Sequence, residues 1–257
     1  MINSVKPNLI VSDSRGAWFR ATILFILALI GTVGMWSVVV FIPDIEKEFG
    51  LDRGTSSLLY AFTMIGFGFG TVIIGKFYDK FGIKKPILLA TFVLITSYYF
   101  YSIFPFYWQF LILQFFMGFA ASAFFGPAMA DISNFFNKQR GFALSIVASA
   151  NYVAGATWPL LIGYFLTFID WRAAHFWISI CLFIMIPLIL LLKNASVDES
   201  KSHDMKQRYK DIRLDLSNNQ IQVLLMLAGI CCCVAMAMPQ VHMVALCVDN
   251  GFGLQVG

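Results

Sequence analysis

"GKFYDKFGIKKP", residues 75–86, sets four lysines and one aspartate between glycines. The chain around it is 59% hydrophobic, 16% aromatic and only 12% charged, with a mean hydropathy of +0.77. Soluble chains average about 45–50% apolar and about 25% charged. A 257-residue chain shifted this far on both counts reads as a membrane protein. The charged stretch is then a turn between two spans.

Working outward, apolar runs of spanning length, about 20 residues, fall at 19–42, 55–77, 86–104, 108–130, 141–168, 173–192 and 220–247. Pro43 follows the first run and Pro105 separates the third from the fourth. Pro86 opens the third, in a first turn where its missing N–H costs nothing. Trp18, Tyr107, Trp108, Trp171 and Trp177 lie near predicted ends, as interfacial aromatics do. With the N-terminus inside, 15 of the 18 lysines and arginines fall in inner segments, Arg15, Arg20 and Arg140 among them. Only Lys47, Arg53 and Arg172 fall outside, which the positive-inside rule favours. Residues 75–86 become the inner turn between the second and third spans. The first apolar run is too long for a signal-peptide core and lacks an A-x-A site after it, so no cleavage is expected.

Composition excludes several classes. Basic residues are confined to short loops, which gives no face for nucleic acid. His175, His203 and His242 are dispersed, and Cys181, Cys231, Cys232, Cys233 and Cys247 sit in apolar runs without zinc-type spacing. "CCCVAMAMPQVHM", 231–243, holds soft copper-type ligands. Met236, Met238, His242 and Met243 do not converge on one face, so ordinary apolar filler is the preferred reading. A seven-helix photoreceptor needs a lysine in its last helix, and 220–247 has none. No enzyme constellation and no P-loop appear. No cofactor or metal is expected.

Topology explains the lysines of 75–86, but not Asp79 and the two glycines. The order Gly75-x-x-x-Asp79-Lys80-x-Gly82-x-Lys84-Lys85 resembles the signature loop of the major facilitator superfamily, G-x-x-x-D-[RK]-x-G-x-[RK]-[RK], which joins that family's second and third helices. "FFNKQRGFALS" (135–145) resembles its basic turn before the fifth helix. "WPLLIGYFLTFIDWRAAHFW" (158–177) is similar to its Pro…Gly…Trp-Arg stretch. "MPQVHMVALCVDNGFG" (238–253) looks like the seventh helix of its monocarboxylate and oxalate/formate porters.

The resemblance implies an all-α membrane fold made of two six-helix halves rocking about a central site. On that plan residues 1–18 are a cytoplasmic tail, 19–192 the six-helix N-terminal bundle, 193–219 the central cytoplasmic loop and 220–257 the first helix of an incomplete C-terminal bundle. The chain looks truncated against the family plan, and its expected partners are a small-molecule solute, the lipid bilayer and the missing C-terminal half. The implied function is secondary active transport of a small organic anion by alternating access. A non-transporting membrane fragment or sensor is the alternative. The resemblance also implies a conformational latch at the cytoplasmic face, built from Gly75, Asp79, Lys80, Gly82, Lys84 and Arg140, with Asp79 facing a helix N-terminus of the second half.

Charged residues inside a span are functional suspects. Asp44, Glu46, Glu48, Asp52, Asp170 and Asp249 fall at outer ends or loops, and Asp131 at the inner end of the fourth span. No acid or base is expected mid-span, which disfavours proton coupling through a buried carboxylate in this half. Uncharged candidates for the solute path are Trp36, Tyr60, Gln114, Asn151, Trp158 and His242. Asn151, Gly155 and Trp158 share one helix face. Gln114 stands four residues before Gly118, where the family's R-x-x-x-G pattern carries arginine. The bland alternative for each is interhelical packing or a satisfied hydrogen bond. Gly66 and Gly70, at GxxxG spacing, are expected to pack the second helix against the absent second half.

Overall fold

A computed structural model describes residues 13–192 and 217–252. The tail before residue 13, most of the predicted loop 193–219 and residues 253–257 lie outside the described residues. Ten α-helices are described: α1 Arg15–Gly31, α2 Val33–Phe49, α3 Arg53–Phe81, α4 Lys84–Ile103, α5 Tyr107–Ala121, α6 Gly126–Phe135, α7 Arg140–Phe165, α8 Trp171–Cys181, α9 Met185–Leu191 and α10 Asn218–Asp249. They form seven apolar helices or helix pairs long enough to cross a membrane, and no strand occurs among the described residues. Single helices are the stable way to cross lipid, because each satisfies its own backbone.

Several predicted boundaries move. Pro43 does not end the first span. That span breaks earlier, at Thr32, whose hydroxyl donates to the Ala28 carbonyl at 2.7 Å. It then continues through Pro43 to Phe49 and stops at Gly50, φ +62°. The proline forfeits one hydrogen bond but keeps a helical φ, so it need not end the helix. The fourth span is also broken, by a 3₁₀ turn at Ser122–Phe124 between α5 and α6. The two breaks meet: a methyl on Gly31 would lie 2.5 Å from the Phe124 ring. Gly75 does not end the second span either. Helix α3 runs on past Asp79 to Phe81 and turns at Gly82, φ +71°, a value that favours glycine. Trp171 is not interfacial but buried, its indole donating to Glu48 at 2.8 Å.

The glycines of α3 find their partner inside this half, not beyond it. A methyl on Gly66 would overlap the Phe115 carbonyl of α5, and one on Gly118 of α5 would overlap the Thr63 carbonyl of α3. Backbone meets backbone, as small residues allow in membranes. Beside this seam lies an aromatic core. Tyr101 stacks on His175 at 4.3 Å between ring centres, and the Tyr98 and Ser37 hydroxyls are 2.6 Å apart. Helix α10 differs: it packs on α2, and among its described residues only Val241 and Val244 are buried.

Candidate functional site

Helices α2, α7 and α10 border an open cavity of about 450 Å³, lined by Trp36, Gly155, Pro159, Pro239, Gln240 and neighbouring apolar side chains. Each of the three helices carries an internal proline, Pro43, Pro159 or Pro239. A proline cannot donate to the carbonyl four residues back, so the Val39, Gly155 and Ala235 carbonyls lose their usual helical donor. Val39 and Gly155 line the cavity. Weakened backbone beside a cavity is how membrane helices accommodate a binding site.

The indole of Trp36 is seated on Gly155, where a methyl would lie 2.8 Å from the ring. Its Nε1–H donates to Asn151 Oδ1 at 3.2 Å. From α3, Tyr60 approaches Gln240 of α10, hydroxyl to Oε1, at 3.5 Å. Trp36 and Gln240, the latter passed over by sequence reasoning, thus line the cavity, while Asn151 and Tyr60 stand outside the lining, each against one of the two. A signal was present: Gln240 follows a helix-interior proline in an otherwise apolar run, and a polar side chain in lipid needs a partner.

The other path candidates lie elsewhere. Gln114 is fully buried, accepting from the Thr63 hydroxyl at 2.9 Å and reaching the Tyr101 hydroxyl at 3.4 Å. It fastens the core and does not line the cavity. Trp158 donates to the Leu29 carbonyl at 2.8 Å and borders a separate, wholly apolar groove between α7 and α8. His242 is exposed on α10, outside the cavity lining.

At the 75–86 end, Asp79 is exposed on the last turn of α3 and takes no hydrogen bond or ion pair among the described residues. Lys80 and Lys85 lie over the Phe81 ring, and Lys84 reaches the Leu190 carbonyl at 3.4 Å. Arg140 opens α7. The firm charged contact at this end was not foreseen. Arg20 is no loop-side topology charge. It is buried and grips Asp131 in two-pronged fashion, Nε to Oδ2 at 2.6 Å and Nη2 to Oδ1 at 2.9 Å. Arg20 lay inside the first apolar run and Asp131 one residue past the fourth. Opposite charges just inside lipid seek each other, since a lone one is costly. Nearby, Asp13 accepts from the N–H groups of Asn137, Lys138 and Gln139, each at 3.2 Å. Partial burial works against its charge, but these donors and Lys138 outweigh it and lower its pKa.

The opposite end is tied by ions. Arg172 holds Glu48 at 2.6 Å, and Arg53 holds both Glu46 and Asp249 at 3.0 Å. The last contact fastens the end of α10 to the start of α3.

The chain matches the family model of the Major Facilitator Superfamily over residues 24–257. It is 28% identical over 151 residues to the MFS-type transporter pynF of Aspergillus niger, covering 57% of this chain and 34% of that protein. It is 27% identical over 156 residues to the agnestins efflux protein AgnL12 of Paecilomyces divaricatus, covering 58% and 35%. To the inner membrane transport protein YnfM of Escherichia coli it is 23% identical over 172 residues, covering 66% and 41%. The chain thus spans about a third to two-fifths of the length of these curated relatives. Its fold matches the inward-open xylose transporter XylE of Escherichia coli with a TM-score of 0.60 at 12% identity, covering 91% of this chain and 59% of that one. A superfamily match over nearly the whole chain and a shared helical fold lead to one conclusion: this chain belongs to the Major Facilitator Superfamily.

Proposed function

We propose that the whole protein carries a small organic solute by alternating access, and that the α2–α7–α10 cavity is this chain's share of the solute path. The cavity carries the proposal, because it joins the first half to the seventh span and is lined by Trp36 and Gln240 among apolar side chains. An organic anion is the finer reading. It rests on the likeness of 238–253 to monocarboxylate and oxalate/formate porters, and none of the relatives named above is such a porter by name. The curated relatives are transporters, one of them an efflux protein, which fits organic cargo of either direction of transport. Transport is secondary: the chain holds no P-loop for a nucleotide.

In this proposal the N-terminus lies in the cytoplasm of a bacterial inner membrane or a plasma membrane. The exposed apolar residues of α3 and α7, such as Phe69, Val72 and Tyr152, face a second half. Asp79, exposed and without a partner here, meets a helix N-terminus of that half, where a carboxylate is stabilised. Asp79→Asn then slows transport far more than Lys84→Gln, with insertion unchanged.

The test is counterflow of labelled carboxylates into liposomes holding the whole protein. Saturable exchange without nucleotide supports the proposal. Uptake that persists on ATP with every gradient collapsed overturns secondary transport. Absence of flux for every organic solute tried favours the second reading, a non-transporting membrane fragment or sensor.

A further inference from the structure

The polar groups at the cavity are not interchangeable, because their hydrogen-bonding capacity is partly spent. An indole N–H only donates, so the atom of Asn151 that meets Trp36 must be its carbonyl oxygen. The Asn151 NH₂ is therefore left over. At Gln240 the Tyr60 hydroxyl, which can donate or accept, stands 3.5 Å from Oε1, and in this orientation the NH₂ is left over. Neither NH₂ has a hydrogen-bond partner among the described residues, and neither is among the atoms sealed from solvent without a partner. Gln240 thus offers an accessible N–H₂ donor in the cavity lining, and Asn151 offers one at the N–H edge of the Trp36 indole, a helix turn from Gly155 and outside the lining. Among the described residues no lysine, arginine, aspartate or glutamate lines the cavity.

We infer that the α2–α7–α10 site, on the reading that it is the solute path, recognises an organic solute through a carbonyl or carboxylate oxygen, with Asn151 and Gln240 donating to it and Trp36 covering its apolar body. The donors suit acceptor oxygens, whereas an ammonium, which brings only donors of its own, is left with the Val39 and Gly155 carbonyls. N–H to N–H opposition is unfavourable, and specificity comes as much from that mismatch as from the bond gained. A carboxylate needs no full countercharge from this half if donors receive it, since hydrogen bonds to an ion are the stronger kind. Trp36 supplies the flat apolar surface, held in place by Gly155 and by its own bond to Asn151. Tyr60 has the matching task at Gln240.

Three probes of one shape separate the cases: benzoate, benzamide and benzylammonium. Each is titrated into the whole protein in detergent, reading the quench of Trp36 fluorescence against a Trp36→Phe control and the thermal midpoint. Benzoate and benzamide should quench and stabilise, and benzylammonium should do both more weakly. Asn151→Asp keeps an oxygen for the indole N–H while replacing the donor by a repelling oxygen. Benzoate should then bind at least about tenfold more weakly, the worth of one hydrogen bond to a charged group, while benzylammonium gains. Gln240→Glu, on a more exposed helix, should do the same and stands in if Asn151→Asp does not fold. Unchanged benzoate binding in the folded variant would return Asn151 to a residue that merely holds Trp36. Equal binding of benzylammonium and benzoate by the unmodified protein also overturns the inference. So does a lack of response to both benzoate and benzamide, yet saturable counterflow of any other solute would leave the transport proposal standing.

Discussion

Two of the glycine contacts in this bundle, the α3–α5 seam and the Gly155–Trp36 seat, do opposite things. Along α3 and α5, Gly66 and Gly118 each face a backbone carbonyl of the other helix. Nothing there can move aside, so the seam is closed and holds no cavity. On α7, Gly155 faces the indole of Trp36, a side chain that could rotate. Around it three proline-interrupted helices leave about 450 Å³ open. A glycine against backbone fixes a distance. A glycine under an aromatic ring gives that ring a seat. The first makes a rigid wall, and the second makes one side of a binding place.

The comparison breaks most sharply at Gly118. Gly118→Leu should abolish the folded bundle, because its side chain would have to displace the Thr63 backbone. Expression with loss of the monodisperse peak in detergent is the expected outcome, and a well-folded variant would show that the seam is not rigid. Next comes the buried ion pair that ties α1 to α6. Arg20→Ala leaves Asp131 charged and buried, a loss of about 3–5 kcal/mol. Removing both partners should cost less than removing Arg20 alone. A thermal-unfolding cycle over the two single variants and the double variant measures this, and a double loss equal to the sum of the single losses would deny the pair any coupling.

Smaller effects are expected on the open side. Gly155→Ala should leave the fold intact at a cost of about 1–3 kcal/mol, typical of one surplus methyl in a packed site. Trp36 would have to tilt off its seat and lengthen its bond to Asn151. Solute flux should fall more than stability does, and a variant losing both in proportion would make Gly155 a packing residue like Gly118. The smallest effect concerns Asp13, which clasps the turn leading into α7. Its carboxyl titrates below the ordinary value in the fold, so its contribution is present at neutral pH and is lost as pH falls through that lowered value. Protection of the Asn137, Lys138 and Gln139 amides, their exchange relative to the intrinsic rate at each pH, should fall in acid, and Asp13→Ala should remove that dependence. Exchange elsewhere in α7 should hardly change, because the group is near the surface and screened.

Much of this could be read without a fold. Span number, the inner placement of 75–86 and the family resemblance follow from apolar run length, the distribution of lysine and arginine, and the order Gly75…Asp79…Gly82. These are properties of the chain against lipid and water, so each segment reports them alone. Gln114 and Asn151 looked alike on that footing, two neutral amides in apolar runs. Their fates differ: Gln114 is spent within the core by Thr63 and Tyr101, while Asn151 keeps a free donor beside a cavity.

What the sequence determined by itself was how many times the chain crosses and where charge must stay out of lipid, since burial of apolar length and the cost of charge act segment by segment. Only the tertiary structure decided which polar groups are satisfied. Arg20 could pair with Asp131, 111 residues away, and Trp36 with Asn151, 115 away, only after the helices had packed. Hydrogen bonds and ion pairs act over a few ångströms, so partners are set by the helices that the glycine seams and proline breaks bring together.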